Sequence, residues 1–159
     1  MGNVWEPTRR SFLRLLALAG AGGLLGAWGG RLREAHALSA LGRFRAAEDP
    51  KNPTALERAH TAEIQLPRVA GDGANVPIVI DMDHEQRPGD YIKSIEIFNF
   101  NDPIISKGVY HFTPASGRVH LSAALRMDRG RARVYVVAEC TRHGKWIAHR
   151  SLKVERGGC

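Results

Sequence analysis

The sequence predicts an all-β protein, an immunoglobulin-like antiparallel β-sandwich of about seven strands. From Glu63 onward, short runs rich in β-branched and aromatic residues recur at regular spacing. Turn-forming clusters of Gly, Pro, Asn, Asp and Ser separate these runs. The connections are too short for the helical crossovers that join parallel strands, so an antiparallel sandwich is the expected arrangement.

The elements are predicted in chain order as follows. Residues 38–62 are expected to form a short helix and linker, because this stretch is rich in charge and alanine and is broken by Pro50 and Pro53. Apolar residues alternate within the later runs, as at 76–82, and supply the faces that point into a core. The predicted strands span 63–66, 76–82, 91–98, 107–112, 119–126, 132–140 and 145–155, within a domain that covers 63–156.

Residues 1–37 are predicted to be a cleaved export signal. The twin-arginine motif at 8–13 precedes a glycine-rich apolar run, and Ala35-His36-Ala37 has the form of a cleavage site. The apolar run of 14 residues, 15–28, is shorter than the roughly 20 that a membrane-spanning helix needs. We therefore expect export by the twin-arginine pathway to the periplasm, with no stable membrane anchor.

Charge and motifs argue against several classes of function. The formal net charge is +7, and loss of the predicted signal, which holds five Arg and two acidic residues, lowers it to +4. The sequence has no Lys/Arg run of the kind that marks nucleic-acid binding. It also lacks a phosphate loop, a dinucleotide-binding fingerprint and a Ser/His/Asp pattern. The remaining positive charge suits an acidic partner protein or anionic small molecules.

The sequence closes on Gly157-Gly158-Cys159, directly after a predicted strand. Glycine lacks a Cβ and adopts almost any backbone angle, so the pair predicts a flexible hinge over 157–159. A thiol on a loose tail suits a covalent carrier, because the sulfur can enter another protein's active site while the fold stays outside. The alternative interpretation is a frayed terminus with an incidental cysteine.

The segment from Ile64 to Cys159 resembles SoxY, the carrier subunit of bacterial thiosulfate oxidation. The matching stretches are 66–77, 90–95, 111–118 and the terminal Gly-Gly-Cys. The resemblance implies a non-catalytic periplasmic carrier that holds sulfur intermediates covalently on Cys159 and requires no cofactor. It also implies a SoxZ-like immunoglobulin-fold partner subunit and periplasmic sulfur-oxidising enzymes as further partners. In that family two more glycines follow the cysteine, whereas here the carboxylate of Cys159 stands beside its sulfur and disfavours the thiolate.

The same domain also resembles the desulfoferrodoxins and superoxide reductases, which hold one iron by a cysteine and four histidines. The stretch 140–146 is similar to that family's Cys-x-x-His-Gly-x-Trp loop, and two upstream histidines match in their spacing. The resemblance implies, as the alternative function, a superoxide reductase-like oxidoreductase with one mononuclear iron. The residues on ligand positions are His60, His84, Cys140 and His143, and Asp90 stands where the family has its remaining histidine.

The two cysteines are expected to act separately. Cys140 and His143 flank a predicted tight turn, so their side chains can converge, and a mixed imidazole and thiolate set suits iron, zinc or copper. Taken singly, each such residue is more often structural or solvent-facing. Cys159 lies about 14 residues past Lys145, on the order of 40 Å away along a straight strand at ~3.3 Å per residue. A disulfide needs Cα atoms within about 7 Å, so we expect two unpaired thiols.

Overall fold

A computed structural model describes residues 42–158, almost all of them in the compact unit Arg43–Cys159. The export signal predicted over 1–37 and the terminal Cys159 lie outside the described residues. The elements are helix α1 (Ala55–His60), strands β1 (Glu63–Gln65), β2 (Val69–Ala70), β3 (Val76–Met82), β4 (Ile92–Asn99) and β5 (Ser106–His111), a 3-10 turn (Pro114–Ser116), and strands β6 (Val119–Leu125), β7 (Gly130–Cys140) and β8 (Gly144–Val154).

Two sheets confirm the predicted β-sandwich class. One sheet has three strands in the order β1-β3-β6, and the other has five in the order β2-β8-β7-β4-β5. Buried residues alternate along β3, where Ile78 and Ile80 are fully buried. In β7, Val134 and Val136 are fully buried, and the residues between and after them, 135, 137 and 138, are buried too. The one strand beyond the predicted set is β2, which pairs in parallel with the end of β8.

Helix α1 starts with a reciprocal capping box. The Thr54 hydroxyl accepts from the Glu57 N–H (3.3 Å), while the Glu57 carboxylate accepts from the Thr54 N–H (2.8 Å). A second carboxylate oxygen of Glu57 accepts from the Glu48 N–H (2.9 Å) and so ties the preceding segment to the helix. The helix ends on His60, which is buried. A helix of six residues gains little from its own propensity, so these caps and the burial of His60 hold it in place.

The β7–β8 hairpin is the longest element and separates the two ends of the domain. Its register runs from Cys140 opposite Gly144 at the turn to Gly130 opposite Val154 at the open end. Strands of 11 residues place these ends about 33 Å apart at ~3.3 Å per residue. The hairpin therefore carries Cys140 at one end of the fold and the chain that leads to the tail at the other. Cys140 is buried and forms no disulfide, in agreement with the unpaired thiol predicted at this position.

Between residues 42 and 158, no helix has the length and apolar character needed to cross a bilayer.

Candidate metal centre and carrier tail

Four side chains from separate parts of the chain converge at the turn end of the β7–β8 hairpin. His60 closes α1, His84 follows β3, Cys140 ends β7 and His143 lies in the turn before β8. One potential ligand atom from each residue lies within 4.8 Å of every other. Three of the four residues are buried, and His143 is partly exposed at the rim. We call these four residues the His/Cys cluster.

The spacing within the His/Cys cluster fits a small metal ion. The His60 Nε2 atom lies 3.1 Å from His143 Nδ1, and the Cys140 sulfur lies 3.6 Å from the same nitrogen. The sulfur also lies 3.7 Å from His84 Nε2. Donors bonded tetrahedrally at roughly 2.0–2.3 Å are about 3.3–3.8 Å apart. The three distances are close to these values, whereas the widest pair, within 4.8 Å, would close by up to about 1 Å around a four-coordinate ion.

The surroundings of His60 prepare its inner nitrogen to act as a ligand. Its Nδ1 atom donates to the Leu56 carbonyl (2.8 Å), which fixes the proton there and leaves Nε2 free to face the cluster. Burial lowers the pKa of His60, and the neighbouring imidazoles lower it further against the opposing pull of the Leu56 hydrogen bond. His60 is therefore neutral at pH 7, the protonation state that a metal requires.

A tight turn places Asp90 beside the cluster. The backbone groups of Arg87 and Asp90 donate to each other's carbonyls, both at 3.0 Å. Pro88 and Gly89 occupy the central positions, with Gly89 at φ +83°, the combination that a type II turn requires. This turn brings the Asp90 carboxylate to the rim of the site, where its side chain is 29% exposed.

The Asp90 carboxylate contacts three members of the cluster. Its Oδ1 atom accepts from the Cys140 thiol at 3.4 Å and lies 3.6 Å from His143 Nδ1 and 3.7 Å from His84 Nε2. Burial raises the pKa of Asp90, but the thiol hydrogen bond and the nearby basic side chains outweigh burial, and the net shift is downward. Asp90 is therefore ionised and adds a negative charge at the edge of the four donors.

Thr141 is a positioning residue that the sequence did not reveal. Its hydroxyl donates to the Gly89 carbonyl (3.1 Å) and accepts from the Tyr91 N–H (3.2 Å). Its own N–H donates to the Tyr91 carbonyl (3.0 Å). Three hydrogen bonds thus clamp the turn that carries Asp90 to the residue that follows Cys140. A threonine between two ligand positions offers no pattern that would predict this contact.

Trp146 covers the inner side of the cluster. Its ring stacks on His60 with centroids 5.2 Å apart and an interplanar angle of 30°. The Arg45 guanidinium lies 5.8 Å from the Trp146 ring centroid, and the segment around Arg45 pairs with β8 at this residue. The tryptophan of the Cys-x-x-His-Gly-x-Trp stretch therefore excludes water from His60 and contributes no ligand atom.

The predicted carrier tail begins at the open end of the hairpin, opposite to the turn that holds the His/Cys cluster. Gly157 and Gly158 lie between the loop that follows β2 and the loop that follows β6. The Gly158 N–H donates to the Met127 carbonyl at 2.9 Å. Gly157 and Gly158 therefore lie at the end of the hairpin opposite to the His/Cys cluster.

Solved structures of two classes share this fold. Superoxide reductase (neelaredoxin) from Ignicoccus hospitalis is 21% identical, with a TM-score of 0.56 over 70% of this chain and 95% of that chain. The sulfur carrier protein SoxY from Chlorobium limicola f. thiosulfatophilum is 21% identical, with a TM-score of 0.50 over 78% of this chain and 97% of that chain. Identities this low establish the fold alone. No curated protein sequence matches the chain.

The class defined by this fold is thus a two-sheet β domain common to sulfur carriers and superoxide reductases. The family model for sulfur oxidation protein SoxY matches residues 50–159, and the chain belongs to the SoxY family. At the level of the family, this makes it a carrier protein of sulfur oxidation that acts with partner proteins. The predicted resemblances to SoxY and to the superoxide reductase fold are both confirmed.

Proposed function

We propose that this protein is an exported sulfur carrier that holds sulfur intermediates covalently on Cys159. The observation that supports this most directly is the SoxY family match, which runs through residue 159 and includes the cysteine. The tail supports it as well, because two glycines without side chains would allow the cysteine that follows them to enter a narrow active site. The twin-arginine motif supports export to the periplasm.

The chemistry of loading requires a partner enzyme. An S–S bond between the Cys159 thiolate and a sulfur compound such as thiosulfate forms with loss of two electrons from the pair. A redox partner must accept these electrons, since the carrier itself offers only a thiol. Hydrolysis of the thiosulfate adduct would release sulfate and leave a persulfide on Cys159. Transfer of that outer sulfur atom to a nucleophilic acceptor, such as a thiolate of a partner enzyme, then restores the Cys159 thiolate.

The edge of the five-stranded sheet supports a partner subunit of SoxZ type. Strand β5 is at the edge of the sheet, so within residues 42–158 no strand pairs with one row of its backbone groups. Three apolar residues are exposed in β5 or directly before it: Ile104 (73%) and Ile105 (41%) precede the strand, and Val109 (48%) lies within it. Exposed apolar clusters at a free strand edge are typical of protein interfaces.

Mass spectrometry of the C-terminal peptide tests the carrier function. Incubation with thiosulfate and the organism's sulfur-oxidising extract should add sulfur mass to that peptide. Cys159→Ser should abolish the adduct, and Cys140→Ser, the matched control, should leave it intact. An adduct on Cys140, with an unmodified C-terminal peptide, contradicts the proposal.

We propose, as a second candidate function, that the His/Cys cluster binds one iron ion. The supporting observation is the convergence of four ligand atoms within 4.8 Å of one another, three of them from buried residues. His60, His84, Cys140 and His143 would hold the ion, with Asp90 at its side. When bound, such an ion would supply one-electron redox chemistry. The four residues would fix its position, and Trp146 would exclude water from the buried side of the site.

Metal analysis of anaerobically purified protein tests this second function. One equivalent of ferrous iron should bind, and oxidation should produce a thiolate-to-iron band in the visible spectrum. Cys140→Ser should remove the band, whereas Cys159→Ser should not. If the protein takes up no iron and chelators do not change its unfolding temperature, iron binding by the His/Cys cluster is contradicted. The carrier function is unaffected by that result.

A further inference from the structure

The glycine pair at 157–158 occupies a narrow cleft between two loops. On one side, the Gly73 N–H in the loop after β2 donates to the Arg156 carbonyl at 2.7 Å. On the other, the Gly158 N–H donates to the Met127 carbonyl in the loop after β6, at 2.9 Å. The Met127 N–H donates in turn to the Gly73 carbonyl at 2.8 Å and joins the two walls. The tail is therefore hydrogen-bonded to both loops through its backbone.

Close backbone approach requires glycine in this cleft. A Cβ at Gly158 would lie 2.0 Å from the Ala74 nitrogen, and one at Gly73 would lie 2.2 Å from the Met127 oxygen. The clashing atoms belong to the backbone, so no side-chain rotation relieves them. Gly73 and Gly158 are both absent from the glycines with positive φ, so space rather than backbone angle excludes a side chain. A hinge needs no such steric fit.

A buried ion pair holds one wall of the cleft. The Lys107 ammonium lies 2.6 Å from the Asp102 carboxylate, and the two side chains are 6% and 1% exposed. The other oxygen of Asp102 accepts from the Asp128 N–H at 3.0 Å, in the loop that contains the fully buried Met127. Leaving one member of a buried pair uncompensated is strongly unfavourable, so loop conformations that break this pair are disfavoured. The Asp102–Lys107 pair therefore fixes the loop that contains Met127.

We propose that this cleft is a retention site for the chain's own C-terminal tail. It binds the Gly157–Gly158 backbone, excludes any larger residue and keeps the tail against the domain until a partner protein draws it out. Released from Val154 onward, the five last residues would reach roughly 17 Å at ~3.3–3.6 Å per residue. The biological role of the retention site rests on the proposed carrier function, whereas binding of the tail in the cleft does not depend on sulfur chemistry.

Hydrogen exchange in the full chain tests the retention site. Gly158→Ala should displace the tail and speed exchange of the Gly73 amide on the order of fivefold, the effect of losing one hydrogen bond. Gly71→Ala is the matched control, because its Cβ would meet nothing within 4 Å and its φ is not positive. The control should leave the Gly73 exchange rate unchanged. Because residue 158 lies outside all strands, the substitution leaves the sheets intact.

Two outcomes separate this proposal from the carrier function. If the Gly73 and Gly158 amides of the wild type exchange as fast as those of a free peptide, or if Gly158→Ala changes nothing, the retention site is wrong. That result stands even where Cys159 takes up sulfur. If the amides are protected and respond as expected but Cys159 never takes up sulfur, docking is supported and the carrier function is wrong.

Discussion

Asp90 decides the charge of the proposed metal site. The imidazoles of His60, His84 and His143 are neutral ligands when bound, and the Cys140 thiolate carries one negative charge. The ionised Asp90, held within 3.4 Å of the cysteine sulfur, adds a second. Two negative charges favour the more highly charged oxidation state of a bound ion. The residue therefore sets the redox balance of the site whether or not it binds the ion directly.

Replacing Asp90 should shift the reduction potential of the iron-loaded protein upward. Asp90→His restores a neutral ligand type and Asp90→Asn removes the charge with almost no change of shape. A unit charge about 4 Å away at an effective dielectric constant near 20 corresponds to a shift of roughly 170 mV, less any screening at this partly exposed rim. Redox titration of the visible band measures it. Asp83→Asn, an exposed acid near His84, is the control, and an equal shift in that variant would contradict a specific role for Asp90.

At the scale of elements, α1 is a helix of six residues whose only buried residue is the proposed ligand His60. Its start depends on Glu57, whose carboxylate accepts from the backbone of Glu48 and Thr54. The Glu48 and Thr54 backbone hydrogen bonds, with the Thr54 hydroxyl, lower the pKa of Glu57 against the weaker opposing effect of burial. The capping box therefore couples the protonation of an exposed carboxylate to the position of His60.

Acid should weaken α1 through Glu57. Because the folded-state pKa is below the ordinary 4.5, the ionised form stabilises the fold above pH 4.5. That contribution is lost as the pH falls through the lowered value. Glu57→Gln should unfold at a lower temperature than wild type at neutral pH, with the difference shrinking in acid. Thermal unfolding between about pH 3 and 7 measures this, with Glu63→Gln as an exposed control. A difference that is constant across this range would contradict the coupling.

The long strands could be predicted from the sequence because each shows its own alternation. Strand β3 has the predicted bounds. Strand β7 starts two residues earlier than predicted and ends where predicted, and β8 starts and ends one residue earlier than predicted. Strand β2 has two residues, too few to show a period, and its parallel partner lies at the far end of the chain. The Thr54 to Glu57 spacing is a capping-box pattern, so the start of α1 was open to prediction from local sequence.

Across the whole molecule, the parts that could not be predicted are contacts between distant segments. His60 and His143 are 83 positions apart, and only the resemblance to an iron-binding family suggested that they meet. Nothing local marks Gly73 as the residue on which the tail packs, since it reads as an ordinary turn glycine beside Asp72. The buried pair of Asp102 and Lys107 could not be predicted for a different reason: the two residues are close in the sequence, but charged residues are usually exposed.

The edge of β5 is the predicted interface with a partner subunit. A SoxZ-like subunit from the same organism should bind along the free edge of β5, because Ile104 and Val109 lie exposed there. A buried aliphatic side chain contributes about 1.5–3 kcal/mol, so Ile104→Lys or Val109→Lys should weaken binding roughly ten- to a hundredfold. Val69→Lys is the matched control, since Val69 is 52% exposed on β2 at the opposite edge of the same sheet. Calorimetric titration of the two subunits measures the affinities. Loss of binding in Val69→Lys, with normal binding in the two β5-edge variants, would place the interface on the other edge and contradict the prediction.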